Sequence, residues 1–172
     1  MELPNTEDEL LAFHKLRQSD PGQYLRITND WISETPRNAD AYFYRHYVWL
    51  KLEEPGRALN DINTVIKLDP SELAYTCRAN IYRQIQKYQE AIQDYERIER
   101  INPELWREDW FNLLYQADSY AQVGNLSGAL RCWEFLPDDF WTPGMNGAPP
   151  GGKMAIQDEL LRIAAAANEK MA

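Results

Sequence analysis

Between residues 39 and 105, apolar and small residues recur at the three- and four-residue spacing of helices, and the arrangement then repeats. Trp49, Ala58, Ile62 and Pro70 are each followed, 33 positions later, by Tyr82, Ala91, Tyr95 and Pro103. Four landmarks at one offset mark an internal repeat. A period near 34 that holds two helical patterns is that of a helix-turn-helix unit, side by side with its copies.

Around that core the remaining elements fall into place. A first helix is expected from Thr6, where Thr6 and Glu9 make a capping box, carrying Leu10, Leu11, Phe13, His14 and Leu16 and stopping near Ser19. Asp20 then caps a second helix with Pro21 at its first position and a stripe of Tyr24, Ile27, Trp31 and Ile32. Residues 5–36 are thus a degenerate helix pair, and Pro36 precedes Pro70 by 34 positions. The repeat at 39–71 has helices meeting around Glu53 to Gly56, with Pro55 suited to the first turn of the second. Between repeats, Asp69, Pro70 and Glu72 read as a cap, a first-turn proline and a first-turn acid, and Asn102 with Pro103 repeats the device.

After the repeat at 72–105 the offset widens to 38, between Tyr82 and Tyr120 and again between Ala91 and Ala129. Gly124 and Trp133 keep the landmarks of a further repeat at 106–136, and the extra residues most simply lengthen its first helix over Leu105 to Phe111. The segment 137–152, rich in proline and glycine, breaks the pattern and is expected to be a loop. Helix returns at 153–171, with Ile156, Leu160, Ile163, Ala164 and Ala167 on one stripe, as in a helix that caps the end of a repeat array.

The order Tyr75, Ala79, Tyr82, Ala91, Tyr95 and Pro103 closely resembles the tetratricopeptide repeat. The resemblance implies an all-α, right-handed α-solenoid: about three clear helix-turn-helix repeats, the degenerate N-terminal pair and the C-terminal capping helix, in a single domain over 1–172. Two departures stand out: Tyr24 replaces the family's small residue in the first pair, and His46 stands where glycine or alanine is usual.

Composition narrows the function. A formal charge of −9 repels phosphate backbones and anionic lipid, so neither nucleic acid nor membrane is the expected partner, whereas a basic protein would be attracted. The N-terminal stretch is acidic and lacks a basic leader or a long apolar run, so a cytoplasmic location is expected. Cys77 and Cys132, without close Cys or His neighbours, read as free thiols and not as a zinc site.

Candidate chemistry is sparse. His14 and His46 lie in different repeats without ligand spacing, and His46 reads as a packed core histidine. The glycines near Gly144 to Gly152 lack the strand, helix and lysine of a phosphate loop, and the acidic pair Asp138 and Asp139 reads as a solvated turn. No metal, cofactor or catalytic residue is expected, and the chain is read as a non-enzyme.

What remains is surface. In tetratricopeptide proteins the first helix of each repeat lines a concave groove that receives a peptide or a partner helix. Carried onto this chain, that implies Asp40, Phe43, Tyr47 and Lys51, then Thr76, Asn80, Arg83 and Gln84, then Leu114, Asp118 and Gln122. Phe140 and Trp141 in the loop are added as contacts, being too apolar for an idle linker. One subclass clamps a carboxylate with Lys and Asn residues; this chain keeps Asn80 but has Phe43, Tyr47 and Thr76 at the other positions. The expected function is an adaptor or scaffold that binds a segment of another protein. The alternative is an immunity-type inhibitor or a secretion-type chaperone that sequesters a basic partner.

Overall fold

The structure is a computed structural model that describes residues 7–144 and 150–171, with side chains from Leu11 to Gly144 and from Pro150 to Lys170. The expected Thr6 and Glu9 capping box and the Leu10 side chain lie outside the described residues. In chain order the helices are α1 (Glu7–Ser19), α2 (Pro21–Glu34), α3 (Ala39–Lys51), α4 (Pro55–Leu68), α5 (Glu72–Gln84) and α6 (Tyr88–Ile101). They continue as α7 (Pro103–Glu108), α8 (Trp110–Gln122), α9 (Leu126–Glu134) and α10 (Lys153–Met171), with β1 (Trp141–Thr142) and β2 (Gly151–Gly152) between the last two. The chain forms two compact units, Met1–Ala74 and Tyr75–Ala172, divided inside the first turn of α5.

In the first unit, Asp20 ends α1 and caps α2, accepting from the Gln23 N–H at 2.8 Å, with Pro21 following as expected. Tyr24 is fully buried, and its bulk has a use: its ring stacks on Phe13 at 4.1 Å, and Trp31 meets Phe13 at 5.0 Å. These rings, with Ala41 and Val48, form the core of the unit, and Tyr44 closes on Phe13 edge-to-face at 5.4 Å.

The three hairpins α3–α4, α5–α6 and α8–α9 turn by one device. Glu53, Gln86 and Gly124 hold φ of 58°, 60° and 74°, at the offsets of 33 and 38 seen in the sequence. The next residue in each turn donates its N–H back to the first helix: Glu54 to Trp49 O at 2.8 Å, Lys87 to Tyr82 O at 2.8 Å, Asn125 to Tyr120 O at 2.9 Å. The left-handed residue itself donates to Leu50, Arg83 or Ala121 O, completing a Schellman cap. Buried Ala58, Ala91 and Ala129 then let the second helix lie close to the first. In α9 the approach is tighter still, since a Cβ on Gly128 would come within 2.7 Å of the Tyr120 ring.

Each of these hairpins was placed by the repeat, but three local details differ from the sequence-based expectation. Asp69 does not cap α5; it ends α4, and Ser71 Oγ accepts from the Ala74 N–H at 3.3 Å. Leu105 to Phe111 is not a lengthening of one helix. Asp109 takes φ −86° and ψ 81°, ends α7, and turns its carboxylate to the Asn112 N–H at 3.0 Å to start α8. The short α7 survives because it buries Trp106, whose indole donates to Gln116 Oε1 at 2.7 Å. Finally, the proline- and glycine-rich segment is not loop throughout. Trp141 pairs with Gly152 and Thr142 with Gly151 in a two-strand base, and Trp133 Nε1 donates to Lys153 O at 2.8 Å beside it.

In the second unit α8 is buried from Asn112 to Tyr120 and on to Ala121. Helices α6, α7, α9 and α10 pack around it, and α10 contributes Ile156, Leu160 and Ala164 to the core.

Glu53 and Gln86 carry a side chain into a backbone region that favours glycine. Gln86→Gly should therefore raise stability by about 1 kcal/mol, the usual cost of an L-residue at a left-handed position. Urea unfolding checks this; a loss of stability would mean that the glutamine side chain outweighs the backbone relief.

Candidate functional site

Helical spacing brings Thr76, Asn80, Arg83 and Gln84 to one side of α5, and Leu114, Asp118 and Gln122 to one side of α8. Side-chain hydrogen bonds tie the two sets together. Asn112 Nδ2 donates to Thr76 Oγ1 at 3.3 Å, Arg83 Nη2 to Asp118 Oδ2 at 2.8 Å, and Gln122 Nε2 to Asp118 Oδ1 at 3.3 Å. The Tyr95 hydroxyl, carried on α6, donates to Asn80 Oδ1 at 3.0 Å.

Burial grades these residues. The Arg83 and Asp118 side chains keep only 3% and 2% of their exposure, and Leu114 is fully buried. Thr76, Asn80 and Gln122 are half-buried and Gln84 is exposed. Gln122 also opens on a cleft of about 480 Å³ against Glu159, Arg162 and Lys170 of α10.

Electrostatics follow from that burial. Removal from water raises the pKa of Asp118, and the Arg83 and Gln122 hydrogen bonds oppose the rise. Arg83 lies over the Tyr115 ring at 4.4 Å, and among the described residues its Nε and Nη1 have no hydrogen-bond partner. Asp118 and the Tyr115 ring thus hold the Arg83 guanidinium, in a medium where an unpaired charge is expensive.

In the first unit the candidates lie along α3. Lys51 Nζ donates to Gln18 O at 2.7 Å and to Arg17 O at 3.4 Å, placing its charge on the carbonyl end of α1. Arg17 lies over the Tyr47 ring at 4.7 Å, and Phe43 meets Tyr47 edge-to-face at 5.4 Å. Asp40 is exposed and Phe43 half-buried. Between the rings of Phe43 and Tyr47, buried His46 donates from Nδ1 to the Phe43 carbonyl. Burial pushes its pKa down to about 4 from an ordinary 6.5, so it is a neutral packing residue.

Other titratable groups are similarly occupied. Burial pushes the Cys132 thiol up to about 12, and Asp138, exposed at the start of the loop, pairs with Lys153 at 3.1 Å. Among the described residues no three His, Cys, Asp or Glu side chains are grouped so as to hold a metal ion. No described helix is long and apolar enough to cross a membrane. In the loop, Phe140 is buried and Trp141 is exposed.

Sequence reasoning missed two ion pairs that share the repeat. Arg45 Nη2 meets Asp61 Oδ1 at 2.6 Å with Nε on Oδ2 at 2.9 Å, and Arg78 meets Asp94 at 2.6 and 2.7 Å in the same way. The signal was available, because both residues recur at the 33-residue offset. At the widened offset the pair becomes Gln116 and Cys132, and the glutamine accepts the Trp106 indole instead.

Comparison with known proteins bears on the fold. Residues 73–105 match the model of the tetratricopeptide repeat. They are a tetratricopeptide repeat, and the fold of the chain is an all-α solenoid of that type. No curated protein matches the sequence. Among solved structures, a crystal structure of MamA is similar with TM-score 0.67 at 18% identity, over 92% of this chain and 94% of that one. A second MamA crystal structure gives the same score and identity, over 92% and 87%. A tetratricopeptide repeat protein from Parabacteroides merdae gives TM-score 0.51 at 20% identity, over 97% and 79%. At these identities the likeness is one of fold.

Two outcomes test the energetics of this chain. Asp118→Ala should cost about 3–5 kcal/mol in urea unfolding, because it strands a buried guanidinium, and Arg83→Met with Asp118→Leu should recover most of the loss. A small loss in the single variant would mean that water reaches Arg83. For His46, the unfolded chain takes up a proton below about pH 6.5 and the folded chain only below about pH 4. The stabilising contribution of neutral His46 is whole above pH 6.5 and is lost as pH falls through 4. The melting temperature of the natural chain should then drop more steeply over that range than that of His46→Gln; parallel slopes would show that His46 protonates without cost.

Proposed function

We propose that this tetratricopeptide-repeat chain is a non-catalytic interaction module that holds a peptide or helix of a partner protein along the α5 and α8 face. Tetratricopeptide domains typically bind other proteins, and the fold alone does not choose the partner. The observation that carries the reading is the state of Asn80. Its Oδ1 is engaged by the Tyr95 hydroxyl, so its amide N–H groups are held in one orientation, on the helix that carries exposed Gln84. A donor fixed in advance loses little entropy when it meets a backbone carbonyl of a bound segment. Thr76 and Gln122 are held in the same manner, by Asn112 and Asp118. Arg83, Asp118 and Leu114 serve as the buried support of the face, and Asp40 and Phe43 are the corresponding candidates on α3.

A non-catalytic role is supported by what the reactive groups are doing. His46 is neutral and packed, Cys132 is held as a thiol, and the Asp138 carboxylate is paired in solvent. The net charge of −9 favours a basic partner, by steering its approach. This charge is also what supports the alternative reading, an immunity-type inhibitor or a secretion-type chaperone that sequesters a basic partner protein.

The test is selection from a displayed peptide library against the natural chain, followed by affinity measurement with an Asn80→Ala, Gln84→Ala variant. Enriched peptides should bind the variant about tenfold more weakly, the effect of removing hot-spot contacts. A selection that enriches nothing, or peptides that bind both proteins equally, would sink the assignment of this face.

A further inference from the structure

The pairs Arg45–Asp61 and Arg78–Asp94 each join the first helix of a hairpin to the second through two hydrogen bonds. In the α8–α9 hairpin the corresponding residues are Gln116 and Cys132, which cannot form an ion pair, and a thiol is a weak acceptor. The two helices are nevertheless held close, with Ala129 buried and Gly128 against the Tyr120 ring.

The tip of residue 116 has another partner. Trp106 Nε1 donates to Gln116 Oε1 at 2.7 Å, and both side chains are buried. The indole also reaches the second helix. Phe135, at the end of α9, meets it edge-on at 5.3 Å, and the Arg131 guanidinium of α9 lies over it at 5.3 Å. Arg131 is held in turn by Glu99 of α6, at 2.6 and 3.1 Å. Trp106 thus touches both helices of the hairpin, and it stands on α7, the element present where the offset widens from 33 to 38.

We infer that Trp106 is a positioning residue for α8, a lock supplied from outside the hairpin in place of the missing Arg–Asp pair. It fixes the rotation of α8 through Gln116. Asp118 and Gln122 lie further along the same helix, so that rotation sets Asp118 against Arg83 and brings Gln122 with it. The bearing of the lock on ligand binding rests on the α5 and α8 face proposed above; the lock itself does not. Residue 116 can serve one lock at a time. An arginine there takes the acceptor away from the indole N–H, and a buried donor without an acceptor is costly. The indole lock and the ion-pair lock therefore exclude each other.

The experiment is urea unfolding of four full chains: natural, Trp106→Ala, Gln116→Arg with Cys132→Asp, and all three substitutions together. Trp106→Ala should raise the unfolding equilibrium constant at least about a hundredfold. The Arg–Asp pair should raise it about tenfold in the natural chain, by stranding the indole N–H, and lower it about tenfold beside Trp106→Ala. A pair that acts in the same direction in both backgrounds would overturn the lock. Where Trp106→Ala does not fold, Trp106→Phe takes its place, since it keeps a ring and lacks the N–H. The pair should then cost less than in the natural chain, and an equal cost would overturn the lock.

Affinity separates positioning from stability. At a temperature where circular dichroism shows every chain folded, peptides selected against the natural chain should bind Trp106→Ala about tenfold more weakly. They should bind the triple variant as they bind the natural chain. Unchanged affinity in Trp106→Ala would overturn the positioning role and leave Trp106 a packing residue. A selection that enriches no peptide removes the α5 and α8 face, and the unfolding series then decides the lock by itself.

Discussion

A residue at positive φ is the constraint on which each hairpin depends. Two antiparallel helices joined by three residues reverse within one turn, and the reversal leaves the last carbonyls of the first helix without partners unless the chain folds back upon them. Glu53, Gln86 and Gly124 make that fold, and the two backbone bonds they permit set where the second helix begins. Residues equidistant from the turn then face one another, including Arg45 with Asp61 and Arg78 with Asp94. The bidentate pairs lock the rotation of one helix against the other. With rotation locked, the side of α5 that carries Asn80 and Gln84 is determined, and Asn80 comes within reach of the Tyr95 hydroxyl on α6.

Much of this was legible because the repeat multiplies weak signals. A single alanine says little, but Ala58 and Ala91 at one offset, joined by Ala129 at the wider one, mark a helix crossing, and all three are buried. Capping residues with proline after them were equally readable: Asp20 before Pro21 and Asn102 before Pro103 accept the backbone N–H three residues on. Competition between near-equal candidates was harder. Ser71 caps α5 although Asp69 is the stronger capping type, because Asp69 ends the preceding helix and Pro70 separates it from α5. Asp109 divides α7 from α8 for a related reason, since its carboxylate takes the N–H that a continuous helix would have turned inward.

The polar groups of the candidate face show another limit of reading from sequence. Helical spacing picks the side of a helix and says nothing of what covers it, so Arg83, Asp118 and Gln84 looked alike. The structure separates them, placing the first two in a buried pair and leaving the third in solvent. The repeat could have revealed Arg45–Asp61 and Arg78–Asp94, since both partners recur. Arg83–Asp118 joins different repeats, and no periodicity marks it.

The base of the segment after α9 has a consequence for engineering. Trp141 and Thr142 pair with Gly152 and Gly151, so the positions on either side of 143–150 are neighbours in a ladder. Lys153 reinforces that junction through Asp138, Trp133 and its own carbonyl. With its two ends already held together, intervening chain of another length or composition adds closure entropy that grows only with the logarithm of length. The junction is thus a natural port for grafting: an epitope, a reporter or a whole guest domain can be carried there without altering the helical register on either side.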